Sequence, residues 1–243
     1  MINSALLNSL LIAFIAGLLC LPILFKKNKK AYLLIIFLSV VFLYNFIVRM
    51  GTLFNPSTWA FNWWGYILAA LFTLIVIASL KWKNKNLNFG LTFKQKKGSL
   101  KPVLIVFVLF TIGQIAFVYF LFGKTDPTLE NYLFQLTMPG ITEELIYRGL
   151  FLGVLNKIFT ERKTILGAPM GYGSIIVTIL FTLAHGISIN TAFNISLQWL
   201  PMIGPFLFAV VVVWIRERTG SILIPILAHN FSNELILVIK NLK

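Results

Sequence analysis

Six polar side chains stand where an apolar residue would be expected, and together they suit the hydrolysis of an amide bond. The run NYLFQLTMPGITEELIYRGLFLGVL carries Glu143, Glu144 and Arg148 inside an otherwise apolar stretch. LFTLAHG closes a second apolar run on His185, and SILIPILAHNFSNELILVI places His229 and Asn233 in a third. A carboxylate can take a proton from water, and an imidazole can pass one near neutral pH. Imidazole and amide N–H groups can donate to a tetrahedral oxyanion. No serine or cysteine offers a rival nucleophile: there is no G-x-S-x-G, and the one cysteine, Cys20, lies remote in the first apolar run.

Spacing decides which of these groups can act together. Residues four apart share a helical face, so Glu144 and Arg148 are neighbours placed for an ion pair. Glu143 points about 100° away and stays free to face a substrate. His229 and Asn233 share a face, as do Phe181 and His185. At 1.5 Å per residue, Glu143, His185 and His229 fall about 16, 18 and 14 Å into their respective runs. All three depths are near the middle of an apolar slab about 30 Å thick. Ionisable groups at that depth are costly unless paired or hydrated, which makes them functional candidates by default. The plainer alternative is that each histidine only hydrogen-bonds between helices. Against it, the chain has 2 histidines and both belong to this set.

The remaining polar residues in and near these runs carry less. Gln114 and Gln198 read as helix–helix hydrogen bonders, and Glu234 as a rim residue. Asn230 faces away from His229. Asp126 and Glu130 read as solvated residues of a short outer loop.

The elements that must hold the six residues follow from composition. Of 243 residues, 58% are hydrophobic and only 12% charged, about half the charge of an ordinary soluble domain. The sequence predicts an all-α, polytopic membrane protein, a single membrane domain with about eight transmembrane helices. The expected spans are 3–25, 31–48, 58–80, 102–123, 132–155, 173–194, 196–215 and 220–240. Between the sixth and seventh, HGISINTAFN is too polar for lipid and must be buried in protein or line a wet cavity. Trp59, Trp63 and Trp64 read as an interfacial belt.

The formal charge of +14 would suit nucleic acid, but its distribution argues against that partner. The segments 26–30, 81–101, 156–172 and 216–219 hold 16 of the 21 basic residues, the bias expected of cytoplasmic loops. That bias places both termini outside the cell, with Arg49, Lys124, Lys240 and Lys243 on the outer side. The abundance of Ile, Phe, Asn and Lys suggests a bacterial plasma membrane.

E-E-x-x-x-R at 143–148, F-x-x-x-H at 181–185 and H-x-x-x-N at 229–233 occur in that order. They resemble the three motifs of the CAAX-prenyl-protease and bacteriocin-processing (Abi) family of membrane endopeptidases. RTGSILIPILAHNFSN is similar to the last motif with its leading turn, and NFGLTFKQKKGSL at 88–100 resembles the basic segment before the catalytic core. The resemblance covers about residues 88–240; the spans within 1–87 are not diagnostic. It implies an eight-helix, glutamate-dependent, metal-independent peptidase. In it Glu143 would be the general base and His185 would help bind and activate water. His229 and Asn233 would stabilise the oxyanion, while Glu144 and Arg148 shape the site. The implied partners are the bilayer and a hydrophobic or membrane-associated peptide or protein, with no cofactor.

Two rivals remain at this level. A zinc site built from His185, His229 and one carboxylate is chemically possible, although H-E-x-x-H is absent. A non-catalytic transporter or bacteriocin-immunity protein could use the same charges to relay protons, but no internal repeat supports transport.

Overall fold

The computed structural model describes residues 2–25 and 30–243. Apart from Lys30, the basic cluster at 26–30, from which the expected orientation is read, therefore lies outside the described residues. Nine α-helices form among them: α1 (Ile2–Leu19), α2 (Ala31–Gly51), α3 (Trp63–Lys83), α4 (Leu100–Leu121), α5 (Leu129–Glu144), α6 (Leu152–Ile158), α7 (Tyr172–Ala184), α8 (Trp199–Thr219) and α9 (Leu223–Asn241). A π-helical stretch, Leu145–Phe151, joins α5 to α6, so those three run on as one rod and the molecule is an eight-rod bundle. Six helical segments are long and apolar enough to cross a membrane: Ile2–Ile23, Ala31–Phe54, Trp63–Lys83, Leu100–Leu121, Trp199–Thr219 and Leu223–Asn241. The protein is a multi-pass membrane protein.

The other two rods depart from the expected spans in instructive ways. The fifth is the charged one. Thr128 opens it with a reciprocal capping box to Asn131, satisfying two N-terminal donors at once. Its later turns are buried, from Thr142 through Leu155, so it is the central rod of the bundle. The sixth expected span, 173–194, is corrected: α7 stops at Ala184. The polar stretch leaves the helix and folds as an antiparallel hairpin, β3 (Ile187–Ile189) against β4 (Ile195–Leu197). Asn190 Oδ1 accepts from the N–H groups of Ala192 and Asn194, which fixes the turn. Asn8 of α1 brackets Ile189, donating to its carbonyl at 2.8 Å and accepting from its N–H at 3.0 Å. The hairpin pairs its own backbone groups, as a non-helical segment at a membrane boundary must. A second hairpin, β1 (Arg162–Ile165) with β2 (Ala168–Gly171), turns on Leu166 and Gly167, both at positive φ, the two-residue turn that matches strand twist.

Polar links sort the connections into two ends. At one, Glu130 accepts from the N–H groups of Ala60 and Phe61 and from Trp63 Nε1, all at 3.0–3.1 Å. Glu130 is thus not merely solvated, as the sequence suggested; it clasps the α2–α3 connection to α5. The same end joins Thr125 to Lys240 through the backbone. At the other end, Lys30 donates to the Lys157 carbonyl, and Glu217 takes Asn156 at 2.6 Å and Arg162 at 3.4 Å. There, burial pushes the Lys96 ammonium down from its ordinary range, against the pull of Glu217. The segment after α3 docks beneath the π-helical stretch. Phe89 is buried there, and Arg216 donates to the carbonyls of Arg148 and Asn88.

Candidate active site

The helix widens immediately after Glu143 and Glu144. In the π-helical stretch the backbone bonds are re-registered, a distortion common at functional positions because it re-aims side chains. Arg216 supplies one of the outside donors, bonding the Arg148 carbonyl at 3.2 Å. α9 comes in close on the other side. Gly140 has no side chain to obstruct it, and its N–H donates to Asn230 Oδ1 at 2.8 Å. A Cβ at Gly140 would stand 2.6 Å from the Ile226 carbonyl. Small residues at such crossings let membrane helices approach closely.

That approach brings α5 and α9 into direct polar contact. Glu144 Oε1 accepts from Arg148 at 3.0 Å and lies 2.7 Å from His229 Nδ1. Glu144 and Arg148 are wholly buried. The guanidinium stacks over the Phe181 ring, 4.2 Å from its centroid, so its charge is balanced by a carboxylate and an aromatic face. Because the carboxylate accepts, His229 Nδ1 carries the proton, which fixes the tautomer of the neutral ring. The expected Glu144–Arg148 pair is present, and it is a three-member cluster that orients His229.

Glu143 faces elsewhere, as its position on the helix predicts. Its Oε1 accepts from the Tyr66 hydroxyl at 2.9 Å. Its Oε2 lies 4.0 Å from His185 Nε2, too far for a direct hydrogen bond, and has no hydrogen-bond partner in the described protein. His185 Nδ1 lies 2.7 Å from the Phe181 carbonyl. A carbonyl can only accept, so Nδ1 donates and Nε2 of the neutral ring turns its lone pair toward Glu143. Phe181 is the hub of the site: its carbonyl orients His185, and its ring stacks near His185, His229 and Arg148.

His185 forms a wall shared by two hollows. The first, about 520 Å³, contains Glu143, Tyr66, Tyr44, Tyr147 and Arg49. The second, about 730 Å³, contains His229 and Asn233 among mainly apolar residues such as Phe110, Phe117, Leu207 and Val210. Asn233 is therefore on the site's wall but not in contact with Glu143; its Nδ2 donates to Gln135 Oε1 at 2.9 Å, across to α5. Gln114 behaves as the sequence suggested, donating from α4 to the Ser232 carbonyl at 3.4 Å. Gln198 instead serves as the residue preceding α8, its N–H bonded to the Gly186 carbonyl.

Sequence reasoning missed Tyr66 and Gln135. Tyr66 sits in WWGYIL, in a span with no motif, and a tyrosine there looks interfacial. Only packing α3 against α5 shows that its hydroxyl reaches Glu143.

The multi-pass helical bundle thus gathers paired and unpaired carboxylates and two oriented imidazoles around two hollows. Residues 125–235 match the family described as Rce1-like, type II CAAX prenyl endopeptidase, and this region of the chain is CAAX-protease-like. The match covers all six candidate residues and supports protease activity in general terms. No curated protein and no solved structure matches the chain.

Proposed function

We propose that this protein is an intramembrane endopeptidase in which Glu143 and His185 activate a water molecule without a metal. The observation that carries the reading is the 4.0 Å separation of Glu143 Oε2 and His185 Nε2, two acceptors turned toward each other. A water about 2.8 Å from both would donate one proton to each, at an angle of about 90°. Its lone pairs would then face away from both acceptors, toward an incoming carbonyl carbon. Tyr66 holds the carboxylate in place.

As the water attacks, Glu143 takes its proton and later delivers it to the departing amine. His229 is held by Glu144, itself held by Arg148. In its protonated form His229 donates from Nε2 to the oxyanion, and Asn233 on the same wall adds an amide donor. One such donor contributes about 3–4 kcal/mol to the transition state. Against zinc, no three His, Cys, Asp or Glu side chains among the described residues are grouped so as to hold a metal ion. The apolar second hollow suits a hydrophobic or membrane-associated peptide or protein. Removing the leader of a small secreted peptide, in a bacterial membrane with both chain termini outside, fits this chemistry.

Two measurements test the reading. Cleavage by the purified protein should survive a strong chelator. The membrane peptidomes of cells carrying the wild type and Glu143→Gln should differ in specific cleavage products. Identical peptidomes, with both proteins at equal membrane levels, would refute the endopeptidase reading.

A further inference from the structure

The polar hollow contains a cation that the water-activating chemistry does not use. Arg49, in the last turn of α2, lines the hollow together with Glu143. Three other arginines are engaged: Arg148 with Glu144, Arg216 with two carbonyls and Arg162 with Glu217. The Arg49 guanidinium makes no hydrogen bond or ion pair among the described residues, where the structure records only its carbonyl, accepting from Thr52. Two more groups share this condition. Tyr44 and Tyr147 are 5% and 3% exposed, both line the hollow, and neither hydroxyl has a hydrogen-bond partner among the described residues. Tyr147 has Glu143, Arg148, Arg49 and Glu144 as charged neighbours, and it shares the hollow with Glu143 and Arg49.

The half-buried guanidinium and the two hydroxyls open into the hollow with no protein partner among the described residues, so water or a ligand must complete them. All three can donate. Opposite them, Glu143 would repel an anion placed close to it, which leaves the Arg49 end as the place for negative charge. A guanidinium that shares a hollow with hydroxyl donors is matched in charge by a carboxylate. We infer that Arg49, with Tyr44 and Tyr147, forms a subsite that binds a substrate carboxylate beside the scissile bond. This deepens the endopeptidase reading and rests on it. The polar hollow takes the acidic part of the substrate and the apolar hollow takes its hydrophobic part, with Glu143 and His185 at the join. Two sources share the chemistry: the terminal α-carboxylate of a peptide cut close to its C-terminus, or an acidic side chain.

The test measures binding and cleavage separately, using the full chain in nanodiscs. The probes are a fluorescent leucine–alanine hexapeptide as free acid, the same peptide as C-terminal amide, and an amide whose last residue is aspartate. The wild type should bind and cleave the free acid at least about tenfold better than the plain amide. Arg49→Gln should erase that preference, so that the free acid and the plain amide are bound and cleaved alike, and Arg49→Lys should keep part of it. A merely structural role for Arg49 would lower all three peptides together. Recovery with the aspartyl amide assigns the subsite to side-chain carboxylates as well; failure to recover assigns it to the α-carboxylate. Equal binding of acid and plain amide by the wild type, or an unchanged preference in Arg49→Gln, would overturn the inference. A wild type that prefers the acid in binding yet cleaves none of the peptides would count against the endopeptidase reading alone.

Discussion

The two adjacent glutamates do different work because one residue of helix turns them through about 100°. Glu144 is consumed by structure: one oxygen serves both Arg148 and His229. Removing one partner of a buried pair strands the other charge, at a cost of about 3–5 kcal/mol. Arg148→Met should therefore lower the thermal unfolding midpoint in detergent markedly and abolish cleavage. Among the described residues Glu143 has only the Tyr66 hydroxyl as a hydrogen-bond partner, so Tyr66→Phe should leave folding intact. It should lower kcat/KM about tenfold, equivalent to about 1.4 kcal/mol, as read from steady-state peptide cleavage. The motif residues themselves were legible in the sequence, because charge in an apolar run announces itself. Tyr66 was not, because one hydroxyl among interfacial aromatics carries no such signal.

At the scale of elements, the site depends on how closely α5 and α9 approach. Gly140 sits at that crossing, and any side chain there meets the Ile226 carbonyl and Asn230. Overpacking of this kind costs about 1–3 kcal/mol. It should also push His229 away from Glu144. Gly140→Ala should thus cut cleavage by at least about tenfold, with a modest fall in unfolding midpoint. Gly123→Ala, which meets nothing within 4 Å, should be neutral in both assays. Helical periodicity gave the order of the rods and the ion pair. It could not show the π-helical stretch after Glu144, which arises from tertiary contacts such as Arg216 to the Arg148 carbonyl. Nor did hydropathy reveal that the sixth span is short. The polar run after His185 was recognised as misplaced in lipid, but its hairpin depends on Asn8, 181 residues away from Ile189 in sequence.

Across the whole molecule, the connections gather at two ends, and the positive-inside bias predicts which end faces the cytoplasm. The α2–α3 connection lies at the Glu130 end and the segment before α4 at the Lys96 end. In intact cells, Ser57→Cys should react with a membrane-impermeant maleimide and Lys94→Cys should not. Cys20, buried in the bundle, supplies a silent background. The reverse labelling pattern would invert the proposed orientation and leave the site unchanged.

Everything proposed for catalysis converges on proton transfer to Glu143. The most direct measurement is kcat/KM for peptide cleavage by Glu143→Gln in nanodiscs, with chelator present and the thermal transition matched to wild type. Loss of the general base predicts a fall of about 10²–10⁴-fold. A variant that folds normally and cleaves within a few-fold of the wild-type rate would contradict the account.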